Sequence, residues 1–164
     1  MKHFRTLRAT LPTLTLASTL MALALAVPAH AQNQSTISEP GAMHVTKSPT
    51  CGCCAAWVEL AREEGFEVET TETADVTSQK IAAGLPGQLW SCHTAEVGGY
   101  VIEGHVPFTA IAKLLAERPA ITGIAVPGMP VGSPGMGDDP SAKYDVIAFG
   151  GDAGEGEVFV KVGQ

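Results

Sequence analysis

"MHVTKSPTCGCCAAWVELAREEG", residues 43–65, places three of the chain's four cysteines between two different periodic patterns. Residues 42–48, "AMHVTKS", read as a short strand that Pro49 and Thr50 break. From about Cys53 to Glu64 the apolar residues Trp57, Leu60 and Ala61 recur at i, i+3 and i+4, which predicts a helix with one packed face and Gly65 as its stop. Cys51 and Cys54 form Cys-x-x-Cys at that helix start, with Cys53 between them. Sulfurs placed there meet unpaired backbone N–H groups and the positive end of the helix dipole, and both favour thiolate over thiol. Thiolate is the species needed for disulfide exchange and for binding soft metals. Three plainer readings compete: a structural disulfide, inert packed cysteine, and zinc. Two adjacent cysteines beside a glycine argue against simple packing, and the stretch lacks the paired Cys-x-x-Cys knuckles of structural zinc sites.

Outward from this junction the elements alternate. "FEVETTE" (66–72) reads as a second strand, and "DVTSQKIAAG" (75–84) as a short helix capped by Asp75 and stopped by Gly84. "QLWSCHTAEV" (88–97) and "YVIEGHV" (100–106) read as strands joined by the hairpin signal Gly98-Gly99. A third helix follows, with Pro107 in its first turn, Phe108, Ile111, Ala112 and Leu115 on one face, and an end before Pro119. Between Thr122 and Ser141 nine of twenty residues are Gly or Pro, which predicts an extended loop. "YDVIAFG" and "EVFVKV" then form a closing hairpin. The order β-α-β-α-β-β-α with a dithiol at a strand-to-helix junction predicts an α/β, thioredoxin-like mixed sheet flanked by helices, followed by the loop and hairpin. In that layout Pro86 takes the place of a cis-proline facing the dithiol.

The chain start has a different character. Lys2, Arg5 and Arg8 precede an apolar stretch from about Leu11 to Val27, and "AHA" (29–31) supplies small residues before a cleavage point after Ala31. This predicts an export signal over residues 1–31, a flexible leader over 32–42, a single domain over 43–164, and a periplasmic protein. The uninterrupted apolar part is too short to span a bilayer, and no cysteine follows the cut, so no stable membrane anchor is expected. Three of the ten bases, and none of the seventeen acids, lie in the predicted signal. The exported part is therefore strongly acidic, a poor match for nucleic acid or anionic membranes.

Donor counting separates the remaining functions. Cys92 and His93 lie on the predicted third strand, where adjacent residues point to opposite faces, so both reach one site only if the chain is irregular there. If one alone faces the cluster, Cys92 is favoured. His105 closes the fourth strand, His44 is a weaker candidate, and Met129 and Met136 sit in two copies of Pro-Gly-Met seven residues apart. A dithiol enzyme uses Cys51, Cys54 and a proline; it has no use for Cys53, Cys92, His93 and a methionine-bearing loop. Thiolate, imidazole and thioether together suit copper(I), and closely spaced sulfurs favour bridging of more than one ion. Export disfavours an iron–sulfur site.

Three segments, "KSPTCGCCAAWVELAREEGFEV" (47–68), "SCHTAEVGGYVIEGHVP" (91–107) and "GIAVPGMPVGSPGM" (123–136), together resemble the CopG-like family of exported bacterial proteins that accompany copper resistance. The resemblance spans nearly the whole predicted mature chain. It implies a thioredoxin-like fold and a copper-linked binding or redox role, with copper ions and a periplasmic copper chaperone, efflux or redox protein as partners. By position it assigns Cys51, Cys53, Cys54, Cys92, His93, His105, Met129 and Met136 to the metal site. One departure is Gly137, which stands where the family commonly has glutamate. Copper binding, with Cu(I) held by the cysteines, is the leading expectation. A thiol-disulfide or copper oxidoreductase using Cys51 and Cys54 is the alternative, and a purely structural, disulfide-bonded domain is the third reading.

Overall fold

The computed structural model describes residues 41–164; the expected export signal and nearly all of the expected leader lie outside the described residues. Strand β1 is Ala42–Lys47, and helix α1, Gly52–Glu63, follows across the cysteine stretch. Cys51 caps α1 by accepting the Cys54 N–H on its sulfur, and Gly65, at φ 92°, ends the helix in the left-handed conformation that glycine adopts without a Cβ clash. The buried face of α1 is Cys54, Trp57, Val58 and Ala61. Strand β2 (Glu67–Glu72) runs parallel to β1, as a helical crossover requires. Helix α2 (Val76–Ala82) starts where the Asp75 carboxylate accepts the Ser78 N–H, as expected from its sequence.

β3 (His93–Val97) and β4 (Tyr100–Glu103) form the predicted hairpin, with both Gly98 and Gly99 at positive φ. Helix α3 (Phe108–Glu117) buries Ala110, Ile111 and Leu114. Ala112, expected on that face, is exposed, because Leu114 rather than Leu115 takes the deepest position. The remaining strands are β5 (Gly123–Ala125), β6 (Tyr144–Phe149) and β7 (Glu157–Val162). β6 and β7 make the closing hairpin, while β5 lies within the stretch expected to be loop throughout. Its three residues gain strand geometry by pairing parallel to β4 and antiparallel to β6.

The result is a mixed α/β fold with one seven-stranded sheet, ordered β2-β1-β3-β4-β5-β6-β7. Its main core lies between the sheet (Met43, Val45, Ala95, Ile102, Ile124) and the inner faces of α1 and α3. A smaller core on the other face joins Leu85 and Leu89 to Ala125 and Phe149. Pro86 follows Leu85, a member of that second core, in the chain. No cis peptide bond occurs among the described residues, so the expected cis-proline is corrected: Pro86, at φ −59° and ψ 134°, leads through a trans bond into a 3-10 turn, Gly87–Leu89, and its carbonyl accepts the Leu89 N–H. No helix of the described residues is long and apolar enough to cross a membrane.

Candidate metal centre

The start of α1 supplies three sulfurs. Cys51 and Cys54 are joined as a disulfide, and the free Cys53 sulfur lies 3.5 Å from that of Cys51. Cys92, distant in sequence, joins them: the sulfurs of Cys51, Cys53, Cys54 and Cys92 all lie within 4.8 Å of one another. A second donor group shares Cys92 and adds the two buried histidines, His93 and His105. The Cys92 sulfur is 2.9 Å from His105 Nε2 and 3.4 Å from His93 Nδ1.

The alternation problem posed by Cys92 and His93 is resolved by where β3 begins. The strand expected over residues 88–97 starts only at His93, and the preceding segment forms the 3-10 turn and then a bend, so Cys92 is not bound to strand alternation. The Gly104 N–H donates to the His93 carbonyl, closing the turn between β4 and His105. Gly104 has φ 74°, and a Cβ there would stand 2.4 Å from Ser91 Cβ and 2.8 Å from the Val126 carbonyl oxygen. The close approach of the Cys92 turn to the His105 turn therefore depends on glycine. β4 stops at Glu103, short of its expected end, which frees His105 to turn toward Cys92.

His105 is fixed from behind. Its Nδ1 lies 2.7 Å from the Pro134 carbonyl oxygen, which can only accept, so Nδ1 carries the proton and Nε2 presents its lone pair to Cys92. Pro134 lies in the second Pro-Gly-Met segment. Next to it, Gly135 (φ 82°) passes so close to α1 that a Cβ would meet the Cys53 carbonyl oxygen and the Trp57 nitrogen, each at 2.9 Å. The loop is thus seated directly on the cysteine turn. Met136, half-buried, follows Gly135; Met129 is 53% exposed, and its neighbour Gly128 bonds to the 90–91 backbone and side chain instead. His44 stands apart, with its ring bonded to Thr71 on the open sheet face.

Electrostatics make the histidines neutral and the thiol protonated. Burial, then the neighbouring His105 and Lys80, push the His93 pKa down to about 3. Burial lowers that of His105 as well, partly opposed by its bond to Pro134. Burial, then the Cys53 sulfur, push the Cys92 thiol up to about 12. His93 is held between two rings: Trp57, tilted by 48° with centroids 4.7 Å apart, and His105, edge-to-face at 5.0 Å. Its Nε2 is buried without a hydrogen-bond partner. The nitrogen that faces the Cys92 sulfur is the other one, Nδ1, and a neutral ring leaves it able to act as a ligand. Sequence reasoning did not find the Pro134 carbonyl or the Trp57 ring against His93, since neither carries a local motif.

Clustered sulfurs backed by neutral imidazoles are a donor set able to hold a soft metal once the disulfide is reduced. Residues 89–136, which include Cys92, both histidine partners and both Pro-Gly-Met segments, match the family described as "Protein of unknown function, DUF411". A solved structure of "Copper resistance protein copG", form 1, is 38% identical with a TM-score of 0.69, and the alignment covers 77% of this chain and all of that one. Its form 2 is 39% identical with a TM-score of 0.67, covering 73% of this chain and 96% of that one. The chain belongs to the CopG-like family. Comparison with curated proteins finds no match. In this CopG-like chain the Cys92 turn, the His105 turn and the Pro134–Met136 loop converge on one helix start.

Proposed function

We propose that this protein is a periplasmic copper-binding protein of copper resistance, which holds Cu(I) as cargo through Cys51, Cys53, Cys54 and Cys92. The observation that carries this reading is the mutual approach of those four sulfurs within 4.8 Å, with His93 and His105 sharing Cys92. A single ion has no need of so many soft donors, so bridging thiolates holding more than one Cu(I) fit the group best. The similarity to copper resistance structures supports copper over zinc as the metal. Met136 lies close enough in the chain to the seated Gly135 to serve as a further soft donor, whereas Met129 fits a role at the exposed rim. Delivery to a chaperone, efflux or redox partner would take place at that rim.

The deciding experiment is metal and thiol analysis of anaerobically reduced protein. More than one copper per chain with all four thiols engaged is expected; a one-to-one zinc protein would overturn the reading. Cys51→Ser and Cys54→Ser should each abolish tight Cu(I) binding while leaving the fold intact, and full retention of copper by either would remove that residue from the site.

A second reading rests on the Cys51–Cys54 disulfide. Its dithiol form can give two electrons to two Cu(II) ions, yielding the disulfide, two Cu(I) and two protons, which makes the site a copper oxidoreductase. Stoichiometric loss of the two thiols on Cu(II) addition under argon would support it. Turnover with a thiol substrate in metal-free protein would favour thiol-disulfide exchange instead.

A further inference from the structure

On the sheet face opposite α1 lies an ion pair that the copper reading does not use. Lys80 of α2 is 2% exposed and Glu103 of β4 is 0% exposed, with Nζ and Oε1 2.6 Å apart. Lys80 Nζ also donates to Thr94 Oγ1 at 3.1 Å, and Thr94 Oγ1 donates to Glu103 Oε2 at 2.6 Å. A buried pair of this kind is weak evidence for stability, because well-packed apolar residues in its place are often as stable or more so. Its geometry points to another purpose. The Glu103 carboxylate accepts a third hydrogen bond, on Oε1, from the Ser91 N–H at 2.6 Å.

That bond falls at the place where the chain leaves strand geometry. Thr94 and Glu103 are paired across β3 and β4, and the next backbone bond of this region runs from the Gly104 N–H to the His93 carbonyl. The Ser91 N–H, beyond the start of β3, has the Glu103 carboxylate as its acceptor. Ser91 is held again by its hydroxyl, which donates to the Gly128 carbonyl, and its Cβ fills the space left open by Gly104. Lys80, Thr94 and Glu103 therefore grip the residue next to Cys92 through one bond, from the far side of the sheet.

We infer that Glu103, held by Lys80 and Thr94, is a positioning residue for the metal centre: its carboxylate replaces a strand partner for Ser91 and so turns Cys92 to the same side as His93. Glu103 touches no metal donor itself. The inference rests on the copper reading for its consequence in metal affinity, but the placement of Cys92 is testable in metal-free protein.

Two double variants separate the acceptor from the charge. Lys80→Met with Glu103→Leu removes both, whereas Lys80→Met with Glu103→Gln removes the ion pair but keeps a carbonyl oxygen for the Ser91 N–H. In reduced, metal-free protein, iodoacetamide should alkylate Cys92 faster in the leucine variant than in the wild type, with the glutamine variant remaining slow. In Cu(I) competition the leucine variant should lose about ten- to a hundredfold in affinity, the usual effect of removing a residue that orients a ligand, and the glutamine variant should retain wild-type affinity. Equal behaviour of the leucine variant and the wild type in both assays overturns the inference. So does equal loss in the two variants, which would assign the effect to the charge pair or to packing. If the leucine variant does not fold, amide exchange in the wild type decides: Ser91 protection matching that of β3 supports the inference, and exchange at the solvent rate overturns it. Failure of the wild type to hold Cu(I) sinks the copper reading alone, and the alkylation and exchange results still decide the role of Glu103.

Discussion

At neutral pH the Cys92 thiol keeps its proton, since burial and the Cys53 sulfur push it up to about 12. A metal that takes this sulfur must displace that proton. Cu(I) loading of the reduced protein should therefore release protons into a weakly buffered indicator solution, and Cys92→Ser should lower the yield by about one per chain. Affinity should rise with pH over the neutral range for the same reason; a pH-independent affinity would take Cys92 out of the site. His105 needs no such deprotonation, because the Pro134 carbonyl already holds its proton on Nδ1. The cysteines and histidines were recognisable along the chain as soft donors. Their protonation states were not, because burial and neighbours set them, and both are tertiary.

Among the elements, the loop after β5 does most to complete the centre, and it does so through backbone. Gly135→Ala would put a methyl group 2.9 Å from the Cys53 carbonyl oxygen at φ 82°. The left-handed conformation alone costs a non-glycine residue about 1–2 kcal/mol, and the contact with helix backbone adds to it. A lower urea midpoint and weakened copper binding are expected together, whereas an unchanged midpoint would show that the loop is not seated on α1. Gly104→Ala should behave similarly, since its Cβ would meet Ser91 at 2.4 Å and displace the Cys92 turn. Element types were legible wherever periodicity was long: α1, α3 and the β6–β7 hairpin stand where Trp57, Ile111 and "EVFVKV" placed them. Short elements were not. β5 is three residues in a Gly/Pro-rich stretch and exists because β4 and β6 flank it, while the expected long third strand yields to a turn held by Glu103 and Gly104.

For the molecule as a whole, the buried neutral histidines couple folding to pH. His93 has its pKa lowered from 6.5 to about 3 on folding, so the unfolded chain binds the extra proton between those values. The contribution is fully present above pH 6.5 and is lost as pH falls toward 3, at up to about 1.4 kcal/mol per pH unit, with His105 acting in the same direction. Urea unfolding of the metal-free disulfide form should show this decline, and His93→Phe should flatten it; stability constant from pH 7 to 5 would contradict neutral burial of His93. Local chemistry was enough to announce a strand, a thiol-bearing helix start, a mixed α/β order and an inventory of soft donors. Those features depend on neighbours a few residues apart, and spacing along the chain records them. Folding alone decided that Cys92 and His93 share a side, that His105 is aimed by Pro134, that Pro86 leads through a trans bond into a 3-10 turn, and that Met129 stays at the surface. Each of these depends on contacts between segments far apart in sequence, such as Glu103 with Ser91 or Gly135 with Cys53, and no local pattern encodes such contacts.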